Sequence, residues 1–339
     1  MELSFEQRQQ RFARPHETAR GPIVARDLIE ITLTDDDGLR GRGEAAPLES
    51  YDGVSTDAVV SALHAYRGVV GDRDAAGASL LDRCRAVADL PQALAAIDLA
   101  LWDLAGRRAG KPVCELLAER PAGEITVNVT VGATDPDSAA IAATEAVRAG
   151  YSCVKLKVGT GDDLERVRRV REAIGPHPRL RLDANGAWSV DQAAELLETM
   201  GAFGLELVEE PVRGLDAIQE LRERVAVRIS IDESAALPGA LTARVADAVC
   251  LKISRCGGIG GLLAAASLVR SSGADVYVAS TYDGSLGIAA ALHAAAALSP
   301  LPPCGLATLE LFEGEPSPFP VRDGAIAVPR GPGLGVPQS

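Results

Sequence analysis

Five short apolar runs in this chain each end in charged residues followed by a turn signal. They are VKLKVG with Lys155 and Lys157, RLDANG with Asp183, LVEEP with Glu209, SIDES with Asp232, and CLKIS with Lys252. Three acids with no histidine among them suit a hard cation such as Mg²⁺ or Mn²⁺, which takes oxygen ligands. Lysines beside such acids suit proton transfer. Glu209 and Glu210 point to opposite sides of an extended strand, so only one of them can join the other acids. Asn185 lies two residues after Asp183, shares its direction, and offers an amide to a ligand carboxylate. Lys155 and Lys157 also share a face. Two ammonium groups on the inner face of an apolar strand are costly unless they meet carboxylates or an anionic ligand. Crowding them should lower the pKa of one and make it a usable base. Lys252 belongs to a well-separated strand. A base on each face of a bound substrate is what 1,1-proton transfer requires. A base on one face and a stabilising cation on the other suits elimination or cyclisation. Combined, these residues predict abstraction of a proton α to a carboxylate, with a metal-stabilised enediolate.

The elements that must hold these groups are legible from their spacing. The charged run ends recur at roughly 20–26 residues, enough for a strand, a crossover helix and two loops. Parallel strands joined this way bring their C-terminal ends to one rim, where a β/α barrel carries its chemistry. Strands are predicted near Ile125–Val131, Cys153–Val158, Leu180–Asp183, Leu205–Glu209, Ile229–Asp232, Val249–Ile253 and Val276–Ala279. A weak eighth follows near Leu306–Leu309, and the final barrel helix is missing or altered. Helices are expected over Asp137–Ala149, Leu164–Ile174 and Val190–Met200, with an N-cap for the second within Gly161–Leu164. Before the barrel, Asp27–Leu33 and LRGRGEAAP form a hairpin, and helices follow over Thr56–Val70 and Pro91–Ala109. This gives an α+β capping domain over about residues 1–120 and a barrel over about 121–311. The tail from Phe312 holds one alternating segment, AIAVP, that returns to pack on the first domain and complete it.

Composition narrows the class. The chain has 339 residues, 47% of them hydrophobic and 4% aromatic, and a net charge of −13. That acidity argues against nucleic acid or an anionic membrane surface as partner. Six cysteines without a C-x-x-C pair read as free thiols in a reducing cytoplasm. Neither a signal peptide nor a membrane-spanning run is expected. The partner is a small-molecule carboxylate; a homo-oligomer is compatible with the sequence.

With KLK, LDANGAW, VEEP, DES and LKIS in this order, and GEAAP and AIDLALWDLAG before them, the chain resembles the enolase superfamily in its muconate-cycloisomerase subgroup. The resemblance covers nearly the whole chain. It implies a modified (β/α)7β barrel under an α+β cap whose loops close over the site, and Mg²⁺. It further implies metal ligands at Asp183, Glu209 and Asp232 and acid/base lysines at Lys157 and Lys252. Lys155 would assist Lys157 and hold the substrate carboxylate. No histidine ends a barrel strand, which argues against the mandelate-racemase subgroup. GEAAPLESYDG, NGAW and CGLATLELF are most similar to o-succinylbenzoate synthases of menaquinone biosynthesis. The alternatives are a racemase or epimerase of N-acyl amino acids or dipeptides, or a cycloisomerase. Dipeptide epimerases carry an Asp-x-Asp pair at the last strand, where this chain reads Gly305–Leu309 without acids. A non-catalytic member would have lost a lysine or an acid, and none is lost. The loops Arg14–Pro22 and Leu48–Gly53 are the expected specificity elements, with Arg20 for a distal carboxylate and Tyr51 as an aromatic wall. Arg255 faces either the rim or an outer helix. Asp283, in STYDG, orients Lys252, binds substrate or caps the next helix.

Overall fold

The computed structural model describes residues 1–18, 21–71, 78–132, 135–314 and 316–337. The chain begins with an antiparallel sheet of β1 (Glu2–Thr18), β2 (Gly21–Thr34) and β3 (Arg40–Ala45), in that order. The β2–β3 hairpin is the one expected. Its turn is fixed by the Asp35 carboxylate, which accepts from the N–H groups of Asp37 and Leu39. β1 was not foreseen, because FEQRQQR carries too few apolar residues to show a period. It is an edge strand anchored by buried Leu3 and Phe12. Of the expected loop Arg14–Pro22, Arg14 lies in β1 and Pro22 in β2, and residues 19 and 20 lie outside the described residues.

Five helices follow: α1 (Glu49–Asp52), α2 (Thr56–Val70), α3 (Ala78–Val87), α4 (Pro91–Ala109) and α5 (Val113–Leu117). The Ser55 side chain caps α2 by accepting from the Ala58 N–H, and Pro91 opens α4 at a position where its missing N–H costs nothing. β3 lies directly on α4. A Cβ added to Gly43 would stand 2.0 Å from the Ala96 carbonyl oxygen, so only glycine permits this approach.

The second half alternates strand and helix: β4 (Glu124–Thr126), β5 (Val129–Val131), α6 (Pro136–Arg148), β6 (Cys153–Lys157), α7 (Asp163–Ile174), β7 (Arg179–Asp183), α8 (Val190–Met200), β8 (Leu205–Glu209), α9 (Leu215–Arg224), β9 (Ile229–Ile231), β10 (Ala248–Lys252), α10 (Ile259–Ser272), β11 (Asp275–Ala279) and α11 (Ser285–Leu298). β5 to β11 form one parallel seven-stranded sheet in chain order. It closes through Cys304, which bridges Val127, and Gly305, which bridges Ala279. The ring thus has eight positions, the last only two residues long. This is a TIM-like barrel with an antiparallel-sheet cap.

Four details differ from expectation. The closing strand is Cys304–Gly305, while Leu309–Leu311 is a 3₁₀ turn. No α-helix joins β9 to β10; 3₁₀ turns at Glu233–Ala236 and Ala240–Thr242 stand in its place. The α7 cap is not made by a side chain at Asp162, which sits at φ 52°. Asp163 instead accepts from the Gly159 N–H and pairs with Arg166. Finally, β12 (Val321–Arg322) and β13 (Ala325–Ala327) form a small sheet with β4. AIAVP therefore sits at the barrel entry, and it is the chain beyond it that reaches the cap, where the Leu334 N–H donates to Asp103 of α4.

α11 is buried almost all round and packs between barrel and cap, which explains the most apolar window of the sequence. No described helix is long and apolar enough to cross a membrane. All six cysteines are free thiols.

Candidate active site

The register of the parallel sheet assembles the site. Lys157 pairs with Asp183 across β6–β7, and Asp183 with Glu209 across β7–β8. Their side chains emerge together at the C-terminal rim. Lys155 Nζ bridges two acids, at 2.6 Å from Glu209 Oε1 and 2.8 Å from Asp183 Oδ2. Lys157 Nζ donates to Asp183 Oδ2 and Asn185 Oδ1, both at 2.7 Å. Lys252 Nζ donates to Asp232 Oδ2 at 2.5 Å and to the Tyr51 hydroxyl at 2.7 Å. Lys155, Lys157, Asp183, Asp232 and Lys252 all line one cavity beneath the cap, whose roof includes Ile23 and Leu48. β6 and β10 stand four positions apart in the eight-position ring, so Lys157 and Lys252 face each other across it.

Burial sharpens every charge here. It would raise the Asp183 carboxyl, but Lys155 and Lys157 outweigh it and hold Asp183 below the ordinary carboxylate range. Asp232 behaves alike, with Lys252 and then Lys155 prevailing over burial. Glu209 goes the other way. Burial and the neighbouring Asp183 and Asp232 raise it despite Lys155. Lys155 would be lowered by burial, yet Asp183 and Glu209 keep it well above the usual lysine value. The expected depression of a crowded ammonium is therefore not found at Lys155, because each lysine meets a carboxylate before it meets the other lysine. Lys252 is likewise raised, with Asp232 and Tyr51 overcoming burial.

The residues fit a divalent cation. Asp183, Glu209 and Asp232 are at most 4% exposed, and Asp183 and Glu209 reach a common point, the Lys155 ammonium. Ligand atoms of Glu209, Asp232 and Cys250 all lie within 4.8 Å of one another. Cys250 was read only as a thiol in an apolar run. Burial, then Asp232 and Glu209, push it well above its ordinary value. An all-oxygen set of three carboxylates suits a hard cation better than a soft sulfur ligand does.

The remaining candidates divide. Asn185, at φ 46°, lines the cavity; its oxygen accepts from Lys157 and one of its two amide N–H donors goes to Glu233 Oε1 at 3.0 Å. Tyr51 enters the site through its hydroxyl as well as its ring. Arg255 faces the rim and donates to that hydroxyl at 2.9 Å. Glu210 turns away from the acids, as alternation requires. It accepts from the Asp232 and Ser234 N–H groups and the Ser234 hydroxyl, fixing the turn that carries Asp232. Asp283 is a correction: it does not line the cavity. Its carboxylate accepts from the Thr281 N–H and hydroxyl, with Arg26 and Glu44 of the cap beside it. Arg20 lies outside the described residues. Tyr277 was missed. It lies inside the barrel and donates to Glu209 Oε2 at 2.6 Å, but in DVYVA it looks like an ordinary buried strand residue.

Comparison with known proteins accords with this geometry. Residues 138–338 match the enolase C-terminal domain-like family model, and residues 2–118 match that of the mandelate racemase / muconate lactonizing enzyme N-terminal domain. The chain belongs to the enolase superfamily. Among curated members, it is 30% identical over 297 residues to the L-Ala-D/L-Glu epimerase of Clostridium acetobutylicum, covering 84% of this chain and 83% of that one. It is 39% identical over 198 residues to the o-succinylbenzoate synthase of Thermobifida fusca, covering 56% of this chain and 62% of that one. The dipeptide epimerase of Enterococcus faecalis, solved with Mg and the dipeptide L-Leu-L-Tyr, superposes with a TM-score of 0.89 at 26% identity, covering 98% of each chain. Relatives in the superfamily are isomerases and lyases, and the chain is an enzyme of that kind.

Proposed function

We propose that this enolase-superfamily chain racemises or epimerises an N-acylated amino acid by 1,1-proton transfer at the carbon α to its carboxylate. The observation that carries the reading is the pair Lys157 and Lys252, facing each other across one cavity. A substrate bound between them presents one face of its α-carbon to each ammonium. One lysine, deprotonated, takes the α-proton. The other delivers a proton to the opposite face, and reversing the roles restores the first enantiomer. Asp183, Glu209 and Asp232 would hold Mg²⁺; the Enterococcus epimerase was solved with Mg. Bound there, the cation would supply positive charge to the substrate carboxylate. Lys155, anchored on Asp183 and Glu209, adds a fixed positive charge beside Lys157. Glu210 and Asn185 hold the carboxylates and Lys157 in place.

The acyl group is narrowed by the last strand and the turn after it. Gly305, Ala307 and Thr308 line the cavity, and none brings a carboxylate for a free ammonium. An N-acyl group without an ammonium, such as succinyl, suits this wall. A second reading is dehydration to o-succinylbenzoate, where Lys157 would handle the proton and Lys252 would act as a cation. The higher identity to the Thermobifida synthase favours it. One measurement separates them: α-proton exchange and product formation in D₂O with N-succinyl amino acids, dipeptides and the synthase precursor. Exchange with racemisation of an N-acyl amino acid supports the first reading. Turnover of the precursor with no exchange in either amino-acid class would replace it by the second.

A further inference from the structure

Lys157 and Lys252 are held by different parts of the molecule. An ammonium has three N–H donors. Lys157 spends two on Asp183 and Asn185, both at the end of β7, so its support is entirely within the barrel. Lys252 spends one on Asp232 of the barrel and one on Tyr51, which sits in α1 of the cap. The Tyr51 hydroxyl in turn donates to Asp232 Oδ1 at 2.7 Å and accepts from Arg255 at 2.9 Å. Its one donor and two acceptor sites are thus committed to three partners that surround it. The ring is also set between the two cations, with Lys252 Nζ at 4.3 Å and Arg255 Cζ at 5.1 Å from its centroid, distances at which an aromatic face attracts them. Arg255 is tied down by a further bond to the Glu233 carbonyl oxygen at 3.3 Å.

We propose that Tyr51 is a positioning residue for Lys252: with Asp232 it fixes two of the three ammonium N–H directions and leaves the third aimed into the cavity. Arg255 holds Tyr51 in that pose. The Lys252 face of the site is therefore completed only by the cap, whereas the Lys157 face is complete in the barrel. This deepens the proposed function and rests on it for its kinetic test.

The test is Tyr51→Phe, which keeps the ring and removes the hydroxyl. In D₂O at saturating Mg²⁺, α-proton exchange is followed separately for the two enantiomers of an N-succinyl amino acid. Lys157→Ala and Lys252→Ala variants assign each enantiomer to its lysine. Exchange at the Lys252 face should fall about 10–100-fold, the usual cost of losing a supporting partner, and exchange at the Lys157 face should stay within about twofold. Arg255→Met should give a smaller loss at the same face. An equal loss at both faces would mean that Tyr51 acts through Asp232 on the metal, and would overturn the proposal. No loss at either face would overturn it too. If the unmodified enzyme exchanges neither enantiomer, the proposed function fails while the positioning claim is decided without substrate. Labelling by a lysine-acylating reagent, mapped by peptide mass, should then rise at Lys252 in Tyr51→Phe and stay constant at Lys157. Unchanged labelling at Lys252 would reject the role.

Discussion

Asp183, Glu209 and Asp232 could be read from the sequence because each closes a short apolar run, and a charge at a buried strand end needs a reason. Their pairing with particular lysines could not, since it depends on register between strands. Tyr277 and Cys250 were illegible because a buried tyrosine or thiol in a strand is ordinary, and only the third dimension puts them beside Glu209. Three predictions belong at this scale. Asp232→Ala should weaken Mg²⁺ binding and lower turnover by about 10²–10³-fold or more, since it removes both a candidate ligand and the partner of Lys252. Exhaustive chelation of the unmodified protein should abolish activity, and added Mg²⁺ should restore it. Full activity after chelation, checked by metal analysis, would end the metal reading. Lys157→Ala and Lys252→Ala should each lose steady-state racemisation with an unchanged circular dichroism spectrum, while one enantiomer still exchanges its α-proton in each. Racemisation at the unmodified rate in either variant would remove that lysine from the mechanism.

At the scale of elements, α2 and α4 emerged with the boundaries the sequence marked: α2 buries one consistent face, and α4 is buried on all sides over Gln92–Ala100. β1 did not, because an edge strand this polar shows no apolar period. The absent helix between β9 and β10 was hidden too: a gap of the usual length is filled by 3₁₀ turns instead. The closing strand escaped because two residues carry no period at all. In β3 of the cap, RGRGE alternates glycines. Those glycines face α4, and Gly43 has no room for a Cβ beside the Ala96 carbonyl. Gly43→Val should therefore destabilise the protein by about 1–3 kcal/mol, read as a lower urea midpoint. An unchanged midpoint would show that β3 and α4 can separate without cost.

Whole-molecule behaviour turns on how cap and barrel meet. Glu44 of β3 is buried at that junction, accepts from the Gly284 N–H at 2.7 Å, and has its carboxyl pushed up to about 8, by burial first and then by Asp283. Glu30 adds to the rise and Arg26 opposes it. An unfolded glutamate ionises near 4.3, so between that value and about 8 the folded protein holds a proton that the unfolded chain has released. Stability should thus fall as pH rises through this window. Glu44→Gln should flatten the decline and melt higher than the unmodified protein above about pH 8; parallel melting curves at every pH would refute it. The same junction shapes substrate choice, since the cavity has a cap roof and a barrel floor. Its described acids, Asp183, Asp232 and Glu233, cluster with the lysines, while Gly305 and Ala307 leave the far wall neutral. A buried ammonium without a partner would cost on the order of several kcal/mol. N-succinyl amino acids and the o-succinylbenzoate precursor should therefore be turned over with higher kcat/KM than dipeptides bearing a free α-ammonium. If Ala-Glu proves the best substrate, this inference fails and the proton-transfer chemistry survives. Asp283 would not supply the missing partner, since it does not line the cavity. Glu233, whose Oε2 is buried without a hydrogen-bond partner, would be the carboxylate to replace next, and Glu233→Gln should then cost dipeptides more than N-succinyl substrates.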